Sequence, residues 1–151
     1  MRIFYVDLSA KLEQWASDSA VAVSDGASWA YLVPSVVKQR ARDWLLQRHG
    51  RRTVRYRLLA ILIYIAVRDD LADVTHVVID RDYAGPHAEA TIKNVLLRLI
   101  RREMPTAPAA LVQFANVKGR KADELARRVH AGKAQATRVL TWVELERWIG
   151  Q

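Results

Sequence analysis

Residues 20–33 read AVAVSDGASWAYLV, in which two short apolar runs flank Asp25-Gly26, a dipeptide that favours a tight turn between antiparallel strands. Upstream, residues 2–9 read RIFYVDLS and predict a strand that is apolar on both faces. These segments together predict a three-strand antiparallel meander at the beginning of the sequence.

After Pro34 the hydrophobic pattern alternates between helical and strand periodicity. Helices are predicted over Val36–Arg48, Thr53–Arg68, Pro86 to Arg102, Ala122–His130 and Thr141 to Ile149, and strands over His76–Ile79 and Leu111–Val117. The second of these helices has little polar face, so we expect it to be central and buried. The order of elements predicts one α/β domain over residues 1–151, with a five-stranded mixed sheet (the meander plus two parallel strands) flanked by helices.

The composition is that of a packed globular protein, with 151 residues of which 51% are hydrophobic. There is no cysteine, which excludes disulfides and cysteine-based zinc sites and favours a cytoplasmic location. The first residues show no signal-peptide pattern. The longest dense apolar stretch, Leu58–Val67, is too short to span a bilayer, so no membrane association is expected.

The net charge of +8 arises from 24 Lys and Arg residues against 16 Asp and Glu residues. A basic excess of this size favours polyanionic partners, with nucleic acid first among them. The residues expected to contact nucleic acid are Lys118, Arg120, Lys121, Arg51, Arg52 and Arg55.

Three acidic residues occupy positions where an α/β sheet commonly carries its catalytic or binding site. Asp7 lies near the end of the first strand, Asp80 ends the fourth, and Asp123 lies in the first turn of the helix after the fifth. Strand ends and the helix starts that follow them converge on one edge of such a sheet. Carboxylates that meet there repel one another unless cations neutralise them, and their oxygens suit Mg²⁺ or Mn²⁺. Two such ions can activate a water for phosphodiester cleavage. Asp7, Asp80 and Asp123 are therefore the predicted catalytic and metal-binding residues.

Three segments resemble type 1 ribonuclease H, and together they extend over nearly the whole chain. IFYVDLS (residues 3–9) is similar to the first strand of that family, with Asp7 followed two residues later by Ser9. VVIDRDYAG (residues 77–85) is similar to the fourth strand with its Asp-x-x-Tyr ending. VKGRKADELARRV (residues 117–129) is similar to the exit of the fifth strand and the Asp-Glu-Leu-Ala helix start. The resemblance implies a ribonuclease-H-like fold and two-metal hydrolysis of the RNA strand of RNA–DNA hybrids.

The chain departs from this family in its fourth carboxylate. The family carries a catalytic Glu on the first long helix, but here the matching turn reads Tyr56-Arg57-Leu58, and no acid occurs between Thr53 and Val67. Asp43 or the acids of residues 69–73 are candidates to replace it, and Arg57 would act as a competing cation if it faced the site.

Three functions follow from these observations. The first is a metal-dependent nuclease of the ribonuclease H type. The second is a nucleic-acid-binding protein that keeps the fold without the chemistry, which the missing helix Glu favours. The third is a PIN-like nuclease, for which the opening YVDLS is also suitable. The predicted meander argues against the third, because that fold places a helix directly after its first strand.

Overall fold

A computed structural model describes residues 2–81, 83, 85–117 and 120–151 of the chain. The strands are β1 (Arg2–Ser9), β2 (Ser19–Ser24), β3 (Ser28–Val33), β4 (Val74–Asp80), β5 (Val112–Ala115) and β6 (Arg138–Val139). The α-helices are α1 (Ser35–Leu46), α2 (Val54–Val67), α3 (Pro86–Glu103), α4 (Lys121–His130) and α5 (Trp142–Ile149).

Within the described residues the strands form one mixed sheet in the order β5-β4-β1-β2-β3-β6. β1, β2 and β3 pair antiparallel, as the meander predicts, whereas β4 pairs parallel to β1 and β5 parallel to β4. Gly26, with a φ of 109°, allows the tight β2–β3 turn. Because β1 leads into β2 and not into a helix, the topology argues against the PIN-like alternative.

The predicted strand number of five is wrong, because the sheet has a sixth strand. β6 is two residues long and pairs parallel to β3, with Tyr31 opposite Arg138. Two residues cannot show an alternating pattern, and β6 is extended only because the outer edge of β3 offers it backbone partners. The α/β class and the arrangement of the other strands are confirmed.

The two faces of the sheet are covered unequally. α1, α2, α3 and α5 build the large core on one face, where Val21 and Val23 of β2 point. α4 covers the other face and packs on the small side chains Ala20, Ala22 and Ala30. Strand alternation thus separates the bulky side chains from the small ones, and the small ones allow α4 to approach the sheet closely.

α2 is the central helix of the large core, as its sequence predicts, and every residue from Leu58 to Val67 is buried. None of the helices in the described ranges is both long and apolar enough to cross a membrane.

Candidate functional site

Asp7 and Asp80 lie side by side at the carboxyl ends of two parallel strands. β1 and β4 pair with Val6 opposite Ile79, and each Asp directly follows its residue of this pair. Alternation along the strands directs both carboxylates to the face of the sheet that α4 covers. Both residues are buried, with 4% and 6% of their surface exposed. The structure therefore brings two of the three predicted catalytic residues together.

Backbone N–H groups orient one oxygen of each carboxylate. Oδ1 of Asp80 accepts a hydrogen bond of 2.7 Å from the N–H of Val117, which ties the end of β4 to the segment after β5. Oδ1 of Asp7 accepts a bond of 2.9 Å from the N–H of Leu8. Bonds from N–H groups to a carboxylate are charge-assisted and stronger than neutral ones, so they fix these side chains in place.

Asp123 lies on the buried face of α4, over the same face of the sheet. It is the third residue of the helix, and it shares the buried face with Ala122, Ala126 and Val129. Its Oδ2 lies 3.2 Å from Nη2 of Arg127, one turn further along the helix. The third predicted carboxylate thus lies over the face of the sheet to which Asp7 and Asp80 point, with a cation beside it.

The type of donor at this site fits a hard divalent cation, because all three predicted ligands are carboxylates. In residues 2–81, 83, 85–117 and 120–151, no group of three or more His, Cys, Asp or Glu side chains is arranged to hold a metal ion. The three acids therefore agree with such an ion in chemistry, but they are not assembled as a ready ligand set.

α2, the helix nearest the strand ends of Asp7 and Asp80 on the large-core face, carries no acid that could take the place of the helix Glu of the ribonuclease H family. Leu59 and Ile63 of α2 line a void of about 10 Å³ next to the two strand ends. Arg57 does not face this site, so it is no competing cation there. Its Nε donates to Oγ1 of Thr53 at 3.1 Å, and its side chain lines a different cavity, between α1, α3 and α5.

The acids proposed as replacements for that Glu lie elsewhere. Asp43 is exposed on α1, where its Oδ1 pairs with Nε of Arg42 at 3.0 Å. The 69–73 cluster lies near the beginning of β1, at the end of the strand opposite to Asp7, because the carbonyl of Asp70 is 3.5 Å from Nη1 of Arg2. The structure places neither beside Asp7.

The basic residues predicted to bind nucleic acid fall into two groups. Arg120 and Lys121 lie at the beginning of α4, and the Arg120 guanidinium covers the ring of Tyr5 at 4.2 Å. Tyr5 precedes Asp7 by two residues on the same face of β1, so this group borders the carboxylates. Lys118 falls outside the described residues.

The second basic group lies at the α2 side of the sheet and lines a cavity of about 630 Å³. We call it the arginine cavity; its wall is formed by Glu13, Trp15, Arg42, Leu46, Arg51, Arg52, Val54, Arg55, Tyr56 and His87. The predicted residues Arg51, Arg52 and Arg55 are therefore gathered in one place, separate from the carboxylates.

Tyr83 connects the arginine cavity to the strand end that carries Asp80. Its hydroxyl accepts from the N–H of Leu12 at 2.9 Å and donates to Oε1 of Glu13 at 2.8 Å. Burial raises the pKa of the Tyr83 phenol well above its usual value, so the hydroxyl stays protonated and remains a donor. The Asp-x-x-Tyr ending drew attention to Tyr83 in the sequence, whereas nothing there singled out Glu13, its partner.

Comparisons with protein-family models, with curated proteins and with solved structures found no match.

Proposed function

We propose that this protein is a metal-dependent nuclease of the ribonuclease H type, which hydrolyses the RNA strand of RNA–DNA hybrids. The observation that carries the proposal is the position of Asp7 beside Asp80, buried at the carboxyl ends of adjacent parallel strands. Two buried carboxylates at neighbouring positions repel each other, and such pairs are characteristic of functional sites.

The topology supports a ribonuclease-H-like identity for the fold. An antiparallel meander with two parallel strands added beside β1 is the arrangement that the resemblance of the three sequence segments implies. α4, which starts after β5, brings Asp123 to the face that Asp7 and Asp80 share.

Under this proposal Asp7, Asp80 and Asp123 would hold Mg²⁺ or Mn²⁺. The ion would supply a water of lowered pKa as the nucleophile. The N–H groups of Leu8 and Val117 keep the carboxylates oriented. Arg120 and Lys121 would bind the phosphate backbone beside them, and the absence of cysteine favours a cytoplasmic location.

A second candidate is a protein that binds nucleic acid without cleaving it. It is favoured by the absence of an acid from α2, which presents Leu59 and Ile63 to the void at the ends of β1 and β4. The ion pair of Asp123 with Arg127 also favours it, because a cation already partly neutralises that carboxylate.

Cleavage of a labelled RNA–DNA hybrid in the presence of Mg²⁺ or Mn²⁺ separates the two candidates. We expect the wild-type protein to cleave the RNA strand and Asp80→Asn to lose this activity while its circular dichroism is unchanged. Asp69→Asn is the matched control, since Asp69 is exposed and its Oδ1 pairs with Nη1 of the neighbouring Arg68. Binding without cleavage in either metal would establish the second candidate, and activity that survives in Asp80→Asn would refute the assigned site.

The contribution of phosphate contacts is measured by titrating the affinity against salt. For duplex binding, each phosphate contact adds about 0.9 to the slope of log affinity against log salt concentration. Replacing Arg120 and Lys121 together by Gln should lower the slope by up to about 2. A slope that stays the same would exclude them as phosphate ligands.

A further inference from the structure

The arginine cavity has the size and the chemistry of a ligand site. Its volume of about 630 Å³ lies in the range of roughly 300–1,000 Å³ that is typical of small-molecule and cofactor pockets. Its wall comes from five parts of the chain, which are the loop after β1, α1, the segment between α1 and α2, the start of α2 and the start of α3.

The charge of the cavity is strongly positive, because four arginines line it together with a single acid, Glu13. Glu13 is already engaged, since its Oε2 pairs with Nη1 of Arg55 at 3.1 Å and its Oε1 accepts from Tyr83. Arg51 and Arg52 are exposed, and neither side chain makes a hydrogen bond or ion pair with another described residue. Two guanidinium groups at the cavity are therefore available to an anion.

Arg55 is held in one orientation before any ligand arrives. Besides its pair with Glu13, it donates from Nη2 to the hydroxyl of Tyr56 at 2.8 Å, and its guanidinium covers the Tyr56 ring at 4.9 Å. Its Nε is buried and has no hydrogen-bond partner among the residues that the structure describes. These contacts fix the guanidinium of Arg55, whose side chain is 41% exposed, as a positive charge in the cavity wall.

Aromatic side chains form another part of the cavity wall. The rings of Tyr56 and His87 meet edge to face, with 6.3 Å between their centroids. Trp15 is half-buried, and the guanidinium of Arg42 lies over its ring, 5.3 Å from the ring centroid. Aromatic side chains beside arginines are the combination that stacks nucleobases while it neutralises phosphate.

We propose that the arginine cavity binds a nucleotide that carries a terminal phosphate, supplied by the phosphorylated end of a nucleic-acid strand. Arg51, Arg52 and Arg55 bind the phosphate, and Trp15 and Tyr56 stack on the base. A terminal monoester carries close to two negative charges near neutral pH, whereas an internal phosphodiester carries one, so it matches several arginines better. The nucleic-acid source rests on the proposed function, but the chemistry of the cavity does not depend on Asp7 or Asp80.

The test uses the full chain with Asp80→Asn, so that its outcome does not depend on cleavage. Fluorescence anisotropy measures the affinity for short single strands that differ only in a terminal phosphate or hydroxyl at the 5′ or the 3′ end. We expect one phosphorylated end to bind at least about tenfold more tightly, since a charge-assisted hydrogen bond contributes about that factor. Arg51→Gln combined with Arg52→Gln should abolish this preference.

The matched control combines Arg102→Gln with Arg128→Gln, which removes the same charge from exposed positions outside the cavity and should leave the preference intact. Equal affinity for phosphate and hydroxyl ends, or a preference that survives in the Arg51 and Arg52 variant, would overturn the proposal. A free nucleoside monophosphate that binds as tightly as the strand would support the cavity chemistry and overturn the strand end as its source.

Discussion

Raising the pH should stabilise this protein through Lys38, which lies on α1 and is fully buried. Its ammonium donates to the carbonyl of Gln14 and to Oγ of Ser19, both at 2.9 Å, and so ties the loop after β1 to the helix. Burial lowers the pKa of Lys38 from 10.5 to about 8, because the charged form loses hydration that these two acceptors replace only in part.

The sign of the effect follows from proton binding. Between the two pKa values the unfolded chain holds a proton that the folded chain has released, so the free energy of unfolding rises with pH. For a shift from 10.5 to about 8, the gain between about pH 7 and about pH 9.5 is about 2 kcal/mol.

Urea unfolding of the wild type and of Lys38→Met at both pH values measures this gain, because contributions common to the two proteins cancel. The difference between their unfolding free energies should move by about 2 kcal/mol in favour of the wild type at the higher pH. Lys133→Met, at an exposed position, is the control and should show no such movement. A Lys38→Met difference that is constant over this range would refute the reasoning.

Two further predictions concern packing and buried hydrogen bonds. Leu58→Ala in the fully buried part of α2 should lower the free energy of unfolding by roughly 2–5 kcal/mol. Val36→Ala, at an exposed position, is the control and should change it by about 0.5 kcal/mol or less. Similar losses for the two variants in urea unfolding would contradict the assigned core. Tyr83→Phe leaves the buried N–H of Leu12 without its acceptor and should cost about 1–3 kcal/mol. An unchanged unfolding free energy would show that the hydroxyl of Tyr83 does not support the loop.

Local patterns predicted the sheet well because most strands are long enough to show alternation. β1 has the predicted bounds, and the predicted helices differ from the observed ones by a residue or two at their ends. β6 was missed because a two-residue strand carries no pattern of its own. Its conformation is determined by β3, which is distant in sequence.

The candidate site was predictable only where strand geometry alone determines it. Asp7 and Asp80 are neighbours because parallel strands bring equivalent ends together, and the sequence shows both ends. The arginine cavity depends on how α1, α2 and α3 are packed, which no local pattern reveals. The same reason explains why the sequence does not reveal which surface Arg57 faces, or that Lys38 is buried on its helix.

The short β6 has a consequence for the behaviour of the protein at high concentration. The N–H of Thr137 donates to the carbonyl of Ala30 at 2.7 Å, and the N–H of Leu140 donates to the carbonyl of Leu32 at 2.8 Å. An uncovered edge would offer these carbonyls to a strand of another molecule, which is how edge-to-edge aggregation begins. The two-residue β6 therefore protects the β3 edge of the sheet from pairing with another molecule. At the other edge, β5 is four residues long and offers few backbone groups for such pairing.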